Sequence, residues 1–344
     1  MRFNRLSLIG NGIFELNNYI FDENFDKDLV LVKSINVGVC SSDIPRAFAS
    51  KAYYYPLVLG HEFSVKVIKD KRNQFKEGQR CTVFPLLPCF KCISCQKKKY
   101  NMCSDYKYYG SRTNGGMQTQ MYINRWNLIP LPDEVDSISA SLIEPTAVCI
   151  HASAKIKPNQ EVLIYGGGFL AQIISQLLLN KNCKVTCIDR NDYKKKFFQE
   201  NVRFVTNELD LAESSYDFVI ESCGAENVLG KCIKFAKPEA TILQLANPFK
   251  NSDLKANDIS QFMRKEQKII GTWNSDYRPD DKNKCDWNKT IELLKNKDLS
   301  IKNLISHKAN LLDSKELLVK INSRKEAPKG VEEYNKAIIQ VFDD

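Results

Sequence analysis

A chain of 344 residues, 43% hydrophobic and 26% charged, has ordinary globular composition and length for two domains with cores of their own. It contains no run of about 18 apolar residues to span a bilayer, and its first residues, MRFNRLSLIG, lack the apolar stretch of a secretory signal, so the expected location is the cytoplasm. The net charge of +9 comes from 50 Lys and Arg against 41 Asp and Glu. These charges are dispersed, without an aromatic-interleaved basic stripe, which reads as a solvated surface and sets nucleic acid aside as a partner.

Residues 1 to about 150 read as short strands and loops punctuated by Gly, Pro and Asn, fitting a mostly β, barrel-like domain. Two groups of metal-binding residue types fall in it. Cys40, in GVCSSDIPR, precedes His61, in LVLGHEF, by 21 residues, and Glu144 follows far downstream in LIEPTAV. One thiolate, one imidazole and one carboxylate leave a fourth position for water or a substrate oxygen, the arrangement of a catalytic zinc. Between them, PCFKCISCQKKKYNMC spaces Cys89, Cys92, Cys95 and Cys103 as C-x2-C-x2-C-x7-C. A reducing cytosol disfavours persistent disulfides, and four thiolates this close in sequence can close a tetrahedron around a structural zinc with no ligand left for substrate. Lys91, Lys97, Lys98 and Lys99 offset the negative charge of such a site. An iron–sulfur cluster is the second reading of the four cysteines.

From about residue 151 the pattern changes. VLIYG, KVTCID, YDFVIESCG and ATILQLAN are buried-strand candidates separated by helical stretches, the pattern of a parallel doubly wound α/β sheet. EVLIYGGGFLAQIISQLLL is a strand, a glycine turn and a helix-like run, in which Gly166, Gly168 and Ala171 occupy G-x-G-x-x-G/A, the dinucleotide fingerprint. The next strand ends in Asp189, 21 residues after Gly168. Its carboxylate is placed to accept from the adenosine ribose hydroxyls, which favours NAD(H), while Arg190 beside it could tolerate the 2′-phosphate of NADP(H). The segment between Asp189 and Asp217 is short for a full crossover, so one peripheral element is expected to be reduced. The tail from about residue 290 carries two amphipathic helices, TIELLKNK and SKELLVKIN.

The residues quoted above, with YYPLVLGHEF, PLLPCFKCISC, GSRTNGGMQTQ and RKEQKIIGTWN, occur in the order found in zinc-dependent medium-chain dehydrogenases/reductases, and the chain resembles the sorbitol dehydrogenase and galactitol-1-phosphate dehydrogenase branch over nearly its whole length. The resemblance implies a Rossmann doubly wound parallel sheet at 151–289, and a GroES-like zinc catalytic domain at 1–150 completed by about 290–344. It implies catalytic-zinc ligands at Cys40, His61 and Glu144, with Glu62 ligating or approaching the metal in some states, and a structural zinc on Cys89, Cys92, Cys95 and Cys103. Ser42 matches the hydroxyl that takes the substrate proton. Many relatives have a histidine for proton exit five residues after the first cysteine; here that residue is Pro45, which cannot relay a proton.

The implied activity is hydride transfer between NAD(P)(H) and a sugar alcohol or its ketose. Arg46, Arg112 and Arg264, with Lys265, match cleft-side regions of the resembling branch. An arginine fork suits a phosphate, which tilts the expected substrate to a polyol phosphate or ketose phosphate. A plain polyol or secondary-alcohol dehydrogenase is the alternative, and a non-catalytic zinc- and nucleotide-binding protein the alternative of another class. A homodimer or homotetramer is expected, without a membrane partner.

Overall fold

The computed structural model describes residues 3–20, 22, 24–249, 251–323 and 333–342. The chain divides into two compact units, Met1–Pro145 with Asp276–Asp344, and Thr146–Ser275.

The first unit is mostly β. Leu29–Val39, LVLVKSINVGV, is rich in β-branched residues and almost wholly buried, and it is the centre of a seven-stranded sheet. Glu62–Lys69 pairs with it antiparallel on one side. On the other side Gln120–Asn124 pairs with residues 29–33 and the late strand Ala337–Gln340 with residues 36–39, both antiparallel. The tail is thereby drawn back into the first unit by backbone pairing. The core under this sheet is mostly aliphatic, built on Val30, Val32, Val37, Val65, Met117 and Ile339 with Phe63 among them.

Residues 276–289, which the sequence pattern grouped with the α/β half, lie in the first unit. The reason is aromatic packing. Tyr277 and Trp287 are buried, with ring centroids 4.5 and 5.4 Å from that of Phe84, and together they bury several hundred Å² of apolar surface.

The second unit is a six-stranded parallel sheet in the order Arg203–Val205, Lys184–Ile188, Glu161–Tyr165, Tyr216–Glu221, Ala236–Gln244, Lys268–Gly271. Its central strands are continuous apolar runs, as expected where both faces of a parallel sheet are covered. Phe169–Leu179, Val228–Phe235 and Ala256–Arg264 are among its helices, and most of Ile143–Ser153 also belongs to it. Between Lys184–Ile188 and Arg203–Val205 the described residues form no α-helix; the connection holds a six-residue 3-10 turn, Asp192–Phe197.

A buried ion pair ties the first unit's surface turn to its sheet. Asp70 accepts from the backbone N–H groups of Arg72, Gln74 and Phe75, each at 2.9 Å, and bidentately from Arg125. The hydrogen bonds from Arg125 come first among the causes that hold the Asp70 carboxyl well below its usual range. A depressed native pKa contributes stability that is present above the unfolded value of about 4 and is lost as pH falls toward the native one. Urea unfolding from pH 7 down to pH 3 is therefore expected to show declining stability. In Asp70→Asn that decline should be smaller, with a loss at pH 7 of roughly 3–5 kcal/mol because Arg125 loses its charge partner. An unchanged acid slope in Asp70→Asn would contradict this assignment.

Candidate functional site

In the first unit, Cys40, His61 and Glu62 each direct a donor atom to one place, and the three atoms all lie within 4.8 Å of one another. The strands explain the convergence. Leu29–Val39 ends one residue before Cys40, and its neighbour Glu62–Lys69 begins one residue after His61, with Gly38 opposite Glu62 in the register. A Cβ on Gly38 would stand 2.2 Å from Glu62 Oε2, so only glycine leaves room for that carboxylate.

The surroundings orient each donor. Asp43, fully buried, accepts from the Cys40 N–H at 3.0 Å and from Arg46 Nη1 at 3.2 Å. Its Oδ1 lies 3.4 Å from His61 Nδ1, an approach whose geometry falls short of a hydrogen bond and leaves that buried nitrogen without one. Burial opposes the imidazolium, but the negative charges of Asp43 and Cys40 outweigh it and hold the His61 pKa well above its ordinary value. The Ser42 hydroxyl donates to Cys40 Sγ at 3.3 Å. Glu62 is ion-paired with Lys336, itself buried, which precedes the returning strand Ala337–Gln340.

Glu144 lies outside the 4.8 Å group, yet close enough for the charges of His61 and Glu62 to act on it. Its Oε1 accepts from the Tyr108 phenol at 3.0 Å. Burial pushes its pKa up to about 7, against the attraction of His61. Of the two carboxylates, Glu62 thus already has a cation, whereas Glu144 has a neutral partner and gains most from a metal. A thiolate, an imidazole and a buried carboxylate in need of a counter-charge fit zinc.

Cys89, Cys92, Cys95 and Cys103 form a second group within the same 4.8 Å limit. Backbone N–H groups lower the Cys89 and Cys92 thiols, that of Cys92 to about 5, while burial pushes Cys95 up to about 12 and raises Cys103. Four thiolates this close repel one another unless a cation sits among them, so the set fits a closed tetrahedral zinc. The lobe around them has little structure of its own, a four-residue helix Ile93–Gln96 and a 3-10 turn Tyr100–Met102.

In the second unit the glycine turn has the shape the fingerprint requires. Gly166 has φ of +108°, where a side chain is strained, and a Cβ there would stand 2.7 Å from Cys223 Cβ. Gly168 caps the helix Phe169–Leu179, and a Cβ on it would meet nothing within 4 Å, so the backbone at the helix N-terminus is open to a phosphate. Ala171 is fully buried in the first turn of that helix. Asp189 is more engaged than the sequence implied. Its Oδ2 accepts from the Gly167 N–H at 2.8 Å and from Lys194 Nζ at 2.7 Å, and its Oδ1 from the Asn191 N–H at 2.9 Å. Arg190 is exposed.

The three arginines have different surroundings. Arg46 is committed to Asp43 and is mostly buried. Arg112 is exposed, with its guanidinium 4.6 Å from the Tyr53 ring centroid and 4.5 Å from that of Tyr106. Tyr106 in turn lies 6.2 Å from Tyr108, and Tyr108 5.7 Å from His61, so aromatic rings connect Arg112 to the metal-binding group. Arg264 ends the exposed helix Ala256–Arg264 of the second unit, while Lys265 Nζ donates to the carbonyls of Ile233, Lys234 and Ala236 and so serves packing.

Sequence reasoning overlooked Asp43, Tyr108 and Lys336 as parts of the site. The i+3 spacing of Asp43 from Cys40 was a usable signal for the first. Lys336, 274 residues from Glu62, had none.

A mostly β unit with a Cys/His/carboxylate group and a four-cysteine lobe, in one chain with a parallel nucleotide-type α/β unit, defines an oxidoreductase of the alcohol dehydrogenase class. Residues 26–133 match the alcohol dehydrogenase GroES-like domain. The chain is 29% identical over 316 residues to galactitol 1-phosphate 5-dehydrogenase of Escherichia coli K12, covering 87% of this chain and 91% of that one. It is 27% identical over 298 residues to sorbitol dehydrogenase of Halalkalibacterium halodurans, covering 82% and 84%. The crystal structure of galactitol-1-phosphate dehydrogenase from Escherichia coli superposes with a TM-score of 0.86 at 26% identity, over 98% of this chain and 99% of that one. The chain is an enzyme with the GroES-like plus Rossmann architecture, similar in sequence and fold to zinc-dependent medium-chain dehydrogenases/reductases. No helix among the described residues is long and apolar enough to cross a membrane.

Proposed function

We propose that the chain interconverts the secondary carbinol of a sugar-alcohol phosphate and the corresponding ketose phosphate, using a nicotinamide dinucleotide, with NAD(H) preferred. The observation that carries the phosphate is Arg112. Its guanidinium lies by the Tyr53 and Tyr106 rings, and Nη2 donates to the Tyr53 hydroxyl at 3.3 Å. Its exposure leaves the remaining N–H groups for an anion contact, and the tyrosine series joins it to the His61 group. The relative named galactitol 1-phosphate 5-dehydrogenase supports the same reading.

In this reading Cys40, His61 and Glu144 hold the catalytic zinc, and Cys89, Cys92, Cys95 and Cys103 a structural one. When bound, the zinc supplies positive charge that lowers the pKa of a substrate hydroxyl, and the nicotinamide takes up the hydride. Asp43 holds the Cys40 backbone and presents its charge to His61, Tyr108 orients Glu144, and Lys336 retains Glu62 by its charge. Ser42, beside Cys40 Sγ and partly exposed, takes the substrate proton. Pro45 offers no onward relay, so water or a substrate hydroxyl completes its exit. Gly166, Gly168 and Ala171 seat the pyrophosphate at the helix N-terminus, and Asp189 with Arg190 faces the adenosine ribose. We further place the enzyme in the cytoplasm and expect two or four copies per assembly.

A substrate panel tests this. Hexitol and pentitol phosphates should exceed their unphosphorylated forms in kcat/KM by at least about tenfold, since a charge-assisted arginine contact is worth on the order of 1.5–3 kcal/mol. Arg112→Ala should remove most of that advantage and leave the unphosphorylated polyol unaffected. Equal turnover of sorbitol or xylitol and every phosphate, with no effect of Arg112→Ala, would make the enzyme a plain polyol dehydrogenase.

A further inference from the structure

We infer that Gln172 is the residue that makes the glycine turn receive a pyrophosphate: its side-chain amide fixes the peptide between Gly167 and Gly168 with the N–H turned outward. This rests on the reading of that turn as a nicotinamide dinucleotide site. Gln172 acts through the backbone, so it is a positioning residue. It is fully buried in the helix Phe169–Leu179, with the buried Ala171 and Ile173 on either side of it in the chain. A buried amide is costly unless it is hydrogen-bonded. Gln172 Nε2 donates to the Gly167 carbonyl at 3.1 Å, and the Gln172 backbone N–H donates to the Gly168 carbonyl at 3.1 Å. One residue thereby holds two successive carbonyls of the turn.

The consequence follows from peptide geometry. A trans peptide is planar, so its C=O and N–H point in opposite directions. With the Gly167 oxygen drawn in to the buried amide, the Gly168 N–H is turned to the outside of the turn. Glycine on both sides gives this peptide little steric resistance to inversion. Inversion would put a carbonyl oxygen where a phosphate oxygen has to sit, replacing an attraction by a repulsion. Gly167 is held at its other end as well, its N–H donating to Asp189 Oδ2 at 2.8 Å. Gly168, the N-cap, has no side chain with which to cap the helix. The turn therefore offers an anion backbone N–H groups, and Gln172 sets the direction of the one at Gly168.

Direct binding separates this proposal from the reading beneath it. With the zinc-loaded enzyme, NADH is titrated by nicotinamide fluorescence and ADP-ribose by its displacement of NADH. Both carry the pyrophosphate, and only NADH carries the nicotinamide. Gln172→Leu removes the donor and keeps an apolar side chain of similar size. Both Kd values should then rise at least about tenfold, and by the same factor to within about threefold, as expected for a lost hydrogen bond to a charged group. KM for the dinucleotide should rise with them, kcat at saturation should change less, and the melting temperature should stay within about 4 °C of wild type. Should Gln172→Leu melt lower than that, Gln172→Met, which keeps the length of the side chain, makes the same comparison. Loss of affinity only in variants that melt low would mark Gln172 as structural and overturn the proposal. An unchanged NADH Kd would overturn it too, as would a loss for NADH without one for ADP-ribose, which puts the effect away from the pyrophosphate. Absence of binding of either nucleotide to the wild type would overturn the dinucleotide reading itself, and this proposal with it.

Discussion

Replacing His61 by alanine is expected to reduce turnover by on the order of a thousandfold or more while leaving a folded protein that holds one zinc per chain in place of two. A metal that polarises a reacting oxygen supplies several kcal/mol of transition-state stabilisation, and each ~1.4 kcal/mol is a factor of ten in rate. Folding should survive because the groups around His61 have other partners. Asp43 retains Arg46 and the Cys40 N–H, and Glu62 retains Lys336. The imidazole is nevertheless one of the three donors gathered at this place, and without it Cys40 and the carboxylates repel across the vacant position. Cys40→Ser should behave alike. Elemental analysis together with initial rates on a polyol phosphate checks both; a His61→Ala protein with two zincs and a rate within threefold of wild type would show that the catalytic metal is held elsewhere.

The four-cysteine lobe should respond in the opposite sense, with a large loss of stability and little loss of chemistry. Cys95→Ser removes a buried thiol from a loop whose helices are three or four residues long, far below the length at which a helix persists unaided. The lobe is otherwise held by Phe90 and Tyr100 against Trp126, with ring centroids 5.0 and 5.1 Å away, and by the exposed pair Lys98–Asp280. An exposed pair adds little because solvent screens it, and edge-to-face ring pairs contribute about 0.5–1.5 kcal/mol each. These do not replace a structural metal, whose loss belongs to the class of changes exceeding about 4 kcal/mol. The expected result is a melting temperature lower by about 10 °C, altered Trp126 fluorescence, one zinc per chain and a kcat at 25 °C within about tenfold of wild type. Chelation of the wild-type protein should reproduce the spectral change. A Cys95→Ser protein that melts with wild type and still binds two zincs would remove the lobe as a metal site.

The sequence by itself determined those features whose chemistry is local. Four cysteines within fifteen residues specify their own proximity, since so short a loop cannot keep them apart. The turn at Gly166 and Gly168 follows from one strand and one helix that are contiguous in the chain, and the apolar runs at 161–165 and 216–221 announce a buried parallel sheet because both faces must be covered. Even the shortened connection after Asp189 was legible as a residue count.

What the tertiary structure alone decided are the partners, because pairing between distant strands obeys register and not sequence distance. Lys336 reaches Glu62 only since Ala337–Gln340 aligns with Asn36–Val39, which in turn aligns with the strand that starts at Glu62. That one register makes Glu62 a carboxylate with a cation already in place, and leaves Glu144 held by the Tyr108 hydroxyl. Residues 276–289 joined the first unit because Tyr277 and Trp287 bury against Phe84, a choice made by packing volume that hydrophobic periodicity does not encode. Asp189 likewise read as a free acceptor until a 3-10 turn, too short and irregular for a periodic signal, set Lys194 upon it.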